Sequence, residues 1–389
     1  MLFTPVKIGP LNLRNRSIRA AAFEGMCEGH NVSQSLIDYH RAVAAGKIGM
    51  TTVAYASVQQ SGLSFPHQLW LRNEIIPQLK KLTDAVHAEN AAASIQIGHC
   101  GNMAKHNLIH ERPIAPTTHF NFYAPSFPRK MNLKDITETA KAFGNAVRMA
   151  QESGFDAVEV HAGHGYLISQ FLSPSTNKRN DEFGGSLENR MRFMQMVMEE
   201  VMEAAGSKTA VLVKMNMRDG FNGGMELNES LQVAKKLEKL GAHALVLSGG
   251  FVSRAPMYVM RGSMPVQTLA SHMDNALMSL FVRAIGKLLI PDVRFIENYF
   301  LNDAKVFRKE LKMPLVYVGG ILSKENIDEA LHAGLDAVAI ARALIRDPDF
   351  IQKLLEEKLK HSACDTCNYC IAVMYNGPFA CIQTLNRIT

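Results

Sequence analysis

The chain alternates between short apolar runs and longer amphipathic stretches, and this alternation constrains its fold more than any other feature. Short apolar runs bounded by turn residues are typical of buried strands. Eight such runs lie at residues 17–22, 50–56, 93–98, 155–161, 210–216, 244–248, 315–319 and 336–341. Helical periodicity occupies the intervals, at residues 33–45, 73–89, 135–153, 187–205, 228–240, 324–333 and 348–360. Strands that alternate with helices form parallel sheets.

Eight β/α units in 389 residues predict an α/β fold, a (β/α)8 TIM barrel. A doubly wound open sheet is the alternative, and it is disfavoured because no Gly-x-Gly-x-x-Gly follows the first strand. The sixth and seventh strands are separated by a long insertion, for which we predict helices at residues 266–289 and 298–312. We expect residues 1–360 to form the barrel and residues 361–389 to form a short Cys-rich tail.

Composition and charge narrow the class of protein. Hydrophobic residues make up 47% and charged residues 20% of the chain, as in globular proteins. The net charge is +6, but the basic residues are scattered, which argues against nucleic-acid binding. The longest apolar helical run is interrupted by Arg283 and Lys287 and is too short to span a membrane. With no export signal visible, we expect a cytoplasmic protein that acts on a small molecule; the sequence leaves open whether it forms a homo-oligomer.

Three polar side chains cluster where the fourth predicted strand ends. His161 closes that strand, and His164 and Tyr166 follow it. Two neutral imidazoles can donate hydrogen bonds to one oxygen, and a phenol can deliver a proton. Core histidines and a His-x-x-His metal pair are the alternatives. Metal binding ranks lower because no acidic or Cys ligand stands beside the pair at a suitable spacing. The carboxyl end of a barrel strand is where active sites lie.

Further candidates lie at the ends of other strands. Ala21 and Ala22 are small enough to let a flat ligand approach the first strand. Gln96 can offer both a donor and an acceptor to the edge of a heterocycle. Lys214 closes a buried strand, where a cation is costly unless it meets an anion.

The last two strands predict a phosphate site. Barrels often bind phosphate through loops after strands seven and eight. Gly319 and Gly320 lie at the end of the seventh strand and allow a close backbone approach. Ala341 and Arg342 lie at the end of the eighth strand, and Arg342 adds a positive charge.

The stretch from 155 to 193 resembles the signature of the Old Yellow Enzyme family of FMN-dependent ene-reductases, HAxHGYL followed by QFLSPxxNxRxDxFGGSxENRxRF. The resemblance implies that His161 and His164 hold the carbonyl oxygen of an unsaturated substrate and that Tyr166 protonates its alkene carbon. It also implies that Gln96 reads the flavin ring and that Lys214 stabilises the reduced flavin.

The resemblance extends from residue 2 to about residue 350, and it includes the ends of the barrel. The family's VGGI and GRxLIxDP motifs imply that Gly319, Gly320, Ala341 and Arg342 bind the FMN phosphate, with Ala341 standing where Gly is usual. The first strand resembles a run that lies against the flavin, which implies backbone contacts from Ala21 and Ala22. Phe23 occupies a position where the family often has Thr, Cys or His.

The tail concentrates four cysteines in the pattern C-x2-C-x2-C-x10-C, at Cys364, Cys367, Cys370 and Cys381. Four thiolates at such a spacing can hold a [4Fe–4S] cluster or a zinc ion, and unligated thiols are the alternative. The pattern resembles the cluster site of trimethylamine dehydrogenase and 2,4-dienoyl-CoA reductases.

The resemblance therefore implies an FMN-dependent oxidoreductase in which NADH or NADPH drives reduction of the C=C bond of an α,β-unsaturated carbonyl compound. One alternative is a flavin dehydrogenase or demethylase that passes electrons through an iron–sulfur cluster to a partner. The other is a non-enzymatic flavin-binding barrel, which would have no need of His161, His164 and Tyr166 together.

Overall fold

The computed structural model describes residues 1–121, 123–273, 276–374 and 380–385. Eight parallel strands close into a barrel in the order β3-β4-β5-β8-β9-β10-β11-β12, and two short two-stranded sheets, β1-β2 and β6-β7, lie outside it. The strands are β1 (Val6–Ile8), β2 (Leu11–Leu13), β3 (Ser17–Arg19), β4 (Met50–Ser57), β5 (Ala92–Gly98), β6 (Ile114–Ala115), β7 (Arg129–Lys130), β8 (Ala157–Ala162), β9 (Ala210–Asn216), β10 (Ala244–Ser248), β11 (Leu315–Tyr317) and β12 (Ala337–Ile340).

Helices surround the barrel, and several begin at a side-chain cap such as Ser33 or Ser186. The α-helices are α1 (Gln34–Ala45), α2 (Ile76–His87), α3 (His106–Ile109), α4 (Leu133–Glu152), α5 (Leu167–Leu172), α6 (Leu187–Ala205), α7 (Leu227–Lys239), α8 (Pro256–Met260), α9 (Val266–Ser271), α10 (Ala276–Leu289), α11 (Leu301–Glu310), α12 (Lys324–His332), α13 (Arg342–Arg346), α14 (Phe350–Leu355), α15 (Tyr369–Val373) and α16 (Ile382–Leu385). No helix in the described ranges is both long and apolar enough to cross a bilayer.

The predicted TIM barrel is confirmed, and each of the eight predicted strands overlaps a barrel strand. The helix predicted over residues 266–289 was wrong as a single element. It is two helices, because the chain leaves helical geometry at His272; residues 274 and 275 of that span lie outside the described ranges. The helix predicted over residues 348–360 is shorter, and α13 before it was not anticipated.

The amino end of the barrel is apolar. Side chains that alternate along each strand point inward, and here they form a cluster that includes Ile18, Met50, Leu212 and Val246. The antiparallel hairpin of β1 and β2 packs on this cluster through Ile8 and neighbouring residues. A sealed amino end leaves the carboxyl end of the strands as the face on which polar residues can meet a ligand.

Candidate active site

The turn after β8 brings the three predicted catalytic residues together. His161 is buried in β8, and its ring centroid lies 5.1 Å from that of His164 and 4.4 Å from that of Tyr166. His164 adopts a left-handed backbone conformation with φ of 57°, and Gly165 follows with φ of 80°. A side chain at Gly165 would lie 2.4 Å from the ring of Phe251, so this tight reversal requires glycine.

Two strand-end residues that sequence reasoning missed hold His164 in place. The backbone N–H of His164 donates to Asn216 Oδ1 at 2.9 Å, and Nε2 of His164 is hydrogen-bonded to Ser248 Oγ at 2.8 Å. Asn216 in turn donates to Asp219 and to the carbonyl of Gly250. The available signal was position, because Asn216 and Ser248 are the last residues of β9 and β10.

Both histidines are neutral at ordinary pH. Loss of hydration and, to a smaller extent, the nearby Lys214 cation together lower the pKa of His164 to about 3. Burial first, then His164 and Lys214, hold the pKa of His161 well below its usual value. Nδ1 of His161 is buried without a hydrogen-bond partner among the described residues. A buried polar atom of this kind is costly unless a ligand satisfies it.

Tyr166 occupies the position that precedes α5, and its ring packs against that of Tyr55 with centroids 4.7 Å apart. The hydroxyl of Tyr55 is engaged, since it donates to the carbonyl of Gly62 at 2.9 Å. The phenol of Tyr166 is half-buried beside His161, so it can meet a molecule that is bound to the histidines.

A buried ion pair lies one layer below the histidines. Lys214 Nζ contacts Glu159 Oε1 at 2.7 Å, and Nε2 of Gln96 donates to the same oxygen at 2.6 Å. All three side chains are at most 3% exposed. The sequence predicted an anion next to Lys214, but Glu159 was not identified as a candidate. The available signal was alternation, because Glu159 shares the inward face of β8 with His161.

The first strand contributes backbone at this end of the barrel. Ala21 and Ala22 follow β3 and are half-buried, and Arg19 donates to the carbonyl of Ala22 at 2.9 Å. The ring of Phe23 stacks on that of Phe65, with centroids 4.7 Å apart. Arg19 forms an ion pair with Glu24 at 2.7 Å, and this pair stabilises the segment that follows β3.

The ends of β11 and β12 present backbone donors. Four backbone N–H groups there have no acceptor within the described part of the chain, those of Gly319, Gly320, Ala341 and Arg342. A side chain at Gly320, which has φ of 79°, would lie 2.9 Å from the backbone nitrogen of Asn298. Unpaired N–H groups at adjacent strand ends form a cradle suited to an anion.

Arg342 connects this cradle to the tail. Its guanidinium donates to Asn368 Oδ1 at 2.8 Å and lies over the ring of Phe295, 5.1 Å from the centroid. Asn368 is 1% exposed and donates to the carbonyls of Arg261 and Ser263. The tail is therefore tied to the insertion after β10 by a buried amide.

The four tail cysteines lie in one neighbourhood. Burial and the thiols of Cys364, Cys367 and Cys381 act together on Cys370, whose pKa rises to about 12 although Arg342 opposes the shift. The described residues nevertheless contain no group of three or more His, Cys, Asp or Glu side chains placed to hold a metal ion. A metal at this tail therefore stays a prediction.

Acidification tests the burial of another histidine, His99. Burial lowers the pKa of His99, which is 1% exposed, to about 3. The unfolded chain therefore binds this proton first, near pH 6.5, and the stability contributed by the neutral ring is lost as pH falls below that value. We expect His99 to contribute about 2 kcal/mol to the loss of unfolding free energy between pH 7 and pH 5.

The measurement is urea denaturation at both pH values for the wild type and for His99→Gln, which keeps a polar side chain opposite Ser61. Comparison of the two proteins cancels the other titrating groups. We expect the variant to lose about 2 kcal/mol less than the wild type over this range. Equal losses would contradict the assignment.

Comparisons with known proteins identify the family of this chain. A family model described as the NADH:flavin oxidoreductase / NADH oxidase family matches residues 1–290, and one described as histidine biosynthesis protein matches residues 298–365. A curated relative from Rhodococcus erythropolis, named 4,4'-dithiodibutanoate disulfide reductase, is 40% identical over 97% of this chain and 93% of its own length. The chain spans about half the length of two other curated relatives, an NADH oxidase from Thermoanaerobacter brockii at 52% and a metal reductase from Desulforamulus reducens at 44%.

Solved structures agree on the fold. The complex of 2-naphthoyl-CoA reductase with 2-naphthoyl-CoA matches with a TM-score of 0.84 and 25% identity, covering 98% of this chain and 56% of that one. An Old Yellow Enzyme homologue from Zymomonas mobilis matches with a TM-score of 0.75 and 22% identity, covering 97% and 96%. The family model alone covers β3 to β10 and the whole turn that carries His161, His164 and Tyr166. The chain therefore belongs to the NADH:flavin oxidoreductase family that includes the Old Yellow Enzymes, and it is a flavin-dependent oxidoreductase.

Proposed function

We propose that this enzyme uses FMN and NADH or NADPH to reduce the C=C bond of an α,β-unsaturated carbonyl compound. The observation that carries the proposal is the grouping of two neutral imidazoles and a phenol at the end of β8, with the rings of His161 and Tyr166 4.4 Å apart. FMN, held by the residues named below, would supply the hydride chemistry that links NADH or NADPH to the alkene.

The chain's own residues polarise the substrate and supply the proton. His161 and His164 donate hydrogen bonds to the carbonyl oxygen, which withdraws electrons from the alkene and stabilises the enolate-like charge that develops. Tyr166 protonates the α-carbon, and solvent then restores its proton. Each turnover adds one hydride and one proton across the double bond, so NAD(P)H is oxidised as the alkene is reduced.

The residues of the barrel suit FMN in three places. Backbone at Ala21 and Ala22 would lie against the flavin ring, and Gln96 and Lys214 would hold its polar edge, where reduced flavin carries negative charge. The unpaired N–H groups at Gly319, Gly320, Ala341 and Arg342, with the guanidinium of Arg342, would hold the phosphate.

Disulfide reduction is a second candidate, favoured by the 40% identity to the 4,4'-dithiodibutanoate disulfide reductase over nearly the full length of both chains. The same site would serve it. Transfer of a hydride to one sulfur would break the S–S bond, and Tyr166 would protonate the thiolate that leaves. One disulfide, one NAD(P)H and one proton would yield two thiols and NAD(P)⁺.

Anaerobic spectroscopy separates these candidates. The purified protein should show a flavin spectrum that NADH or NADPH bleaches. An enone added to the reduced protein should restore the spectrum if alkene reduction is correct, whereas restoration by a disulfide alone would favour the second candidate. Absence of flavin after incubation with FMN would overturn both.

We also propose that residues 361–389 form a separate Cys-rich tail, in which Cys364, Cys367, Cys370 and Cys381 hold a [4Fe–4S] cluster or zinc. The spacing C-x2-C-x2-C-x10-C supports this proposal, together with the electrostatic influence of Cys364, Cys367 and Cys381 on Cys370. Iron and zinc analysis of anaerobically prepared protein tests it, and about four irons per chain would favour electron transfer through a cluster to a partner. A protein that contains neither metal would overturn it.

A further inference from the structure

A cavity lies beside the turn that carries His161, His164 and Tyr166, here called the catalytic turn, and the proposed mechanism does not use this cavity. Its volume is about 300 Å³, enough for part of a small ligand. It is built from the loops that follow β5, β8 and β10, and thus opens on the same face as the active site. Its lining residues are Asn102, His119, Phe120, Asn121, Thr176, Ser253 and Arg254.

The lining is positive and contains no acidic side chain. Arg254 makes no ion pair with any described carboxylate. Its guanidinium donates to Ser175 Oγ and lies over the ring of Phe221, 5.2 Å from the centroid, so it is held in place with donors to spare. Burial and the neighbouring Arg254 cation lower the pKa of His119, which leaves that ring neutral and able to donate a hydrogen bond.

Short connections join the cavity to the catalytic turn. Gln170 accepts from the backbone N–H of Asn102 at 3.1 Å and donates to the carbonyl of Gly165 at 2.7 Å. On the other side, the N–H of Val252 donates to the carbonyl of His164 at 3.0 Å, and Ser253 and Arg254 follow directly. A molecule with its reactive bond at His161 and Tyr166 therefore has this cavity next to it.

We propose that this cavity binds a carboxylate carried by the substrate, with Arg254 as the cationic partner and Asn102, Ser253 and His119 as neutral donors. The inference rests on the proposed function, since it specifies the substrate class of the same site. One guanidinium among neutral donors matches a singly charged planar anion, because a carboxylate can accept two parallel hydrogen bonds from it.

The test is calorimetric titration of the FMN-loaded, oxidised protein, which binds ligands without turnover. The probes are 4-oxopent-2-enoate and 4,4'-dithiodibutanoate, each compared with its methyl ester. We expect at least one acid to bind about tenfold more tightly than its ester, and Arg254→Gln to abolish that preference while Arg254→Lys restores part of it. Lys178→Gln is the matched control. It removes a nearby exposed cation whose ammonium donates to the carbonyl of Pro174, and it should change the preference less than about twofold.

Three outcomes would overturn the inference: neither acid binds better than its ester, Arg254→Gln weakens acid and ester equally, or the variant weakens only NADPH, which would assign the cavity to a nucleotide phosphate. Failure of the proposed function is read separately. The neutral methyl ester of 4-oxopent-2-enoate should reoxidise the reduced flavin of the wild-type protein, whatever the cavity binds.

Discussion

Tyr166→Phe should slow the reoxidation of reduced enzyme by an enone about 10²- to 10⁴-fold, the range that a positioned general acid contributes. The variant loses the only phenol that lies half-buried next to His161 in the described structure, with ring centroids 4.4 Å apart. Flavin reduction by NAD(P)H transfers a hydride and needs no proton from this phenol, so its rate should stay within about twofold of the wild type.

Stopped-flow absorbance of the two half-reactions measures this directly. Tyr55→Phe is the matched control, because it removes a phenol from the ring that packs on Tyr166 but whose hydroxyl is committed to the carbonyl of Gly62. The control should leave both half-reactions near wild-type rates. Equal loss of both half-reactions in Tyr166→Phe would remove the proton-donor role.

Glu159→Gln should destabilise the folded protein by about 3–5 kcal/mol, the cost of leaving one member of a buried ion pair without its partner. Lys214 and Glu159 are each 3% exposed and 2.7 Å apart, so the remaining ammonium would be buried without its counter-charge. Gln96 would also lose the charged acceptor that it contacts at 2.6 Å.

Urea denaturation of the flavin-free protein measures this loss, and a double variant isolates its cause. Glu159→Gln combined with Lys214→Met removes both charges, and replacement of a buried pair by neutral groups is often close to neutral in stability. The double variant should therefore recover most of the loss. Asp84→Asn, which breaks an exposed pair with Lys80, should have little effect. A double variant less stable than Glu159→Gln would contradict this account.

The grouping of the candidate catalytic residues in the turn after β8 could be predicted from the sequence because these residues are close together along the chain. His161, His164 and Tyr166 lie within six residues of one another, and a strand that ends at His161 places them on the carboxyl face of a parallel barrel. The same reasoning located Gln96 and Lys214 at strand ends. The structure places both residues in the strands predicted for them. Their shared partner, Glu159, did not follow from local sequence, because it contacts them only through the register of three neighbouring strands.

Predictions from local sequence were also wrong for elements whose ends depend on tertiary packing. The helix predicted over residues 266–289 is interrupted at His272, although its apolar periodicity runs on. Periodicity reports which face of a helix is apolar, but it does not report where neighbouring elements force the chain to turn. The hairpin of β1 and β2 was missed for a related reason, since its strands are three residues each and find their partner cluster only when the barrel has closed.

The sequence by itself determined the eight-unit barrel and the chemical groups at its carboxyl end, because strand periodicity and residue type act over a few neighbouring positions. Tertiary structure alone decided how those groups are supported. The contact between His164 and Ser248 joins positions 84 residues apart, and the one between Asn102 and Gln170 joins positions 68 apart. Such contacts depend on strand register and loop packing around the closed barrel. These features settled the counter-charge of Lys214, the fixed geometry of His164 and the cationic cavity at Arg254.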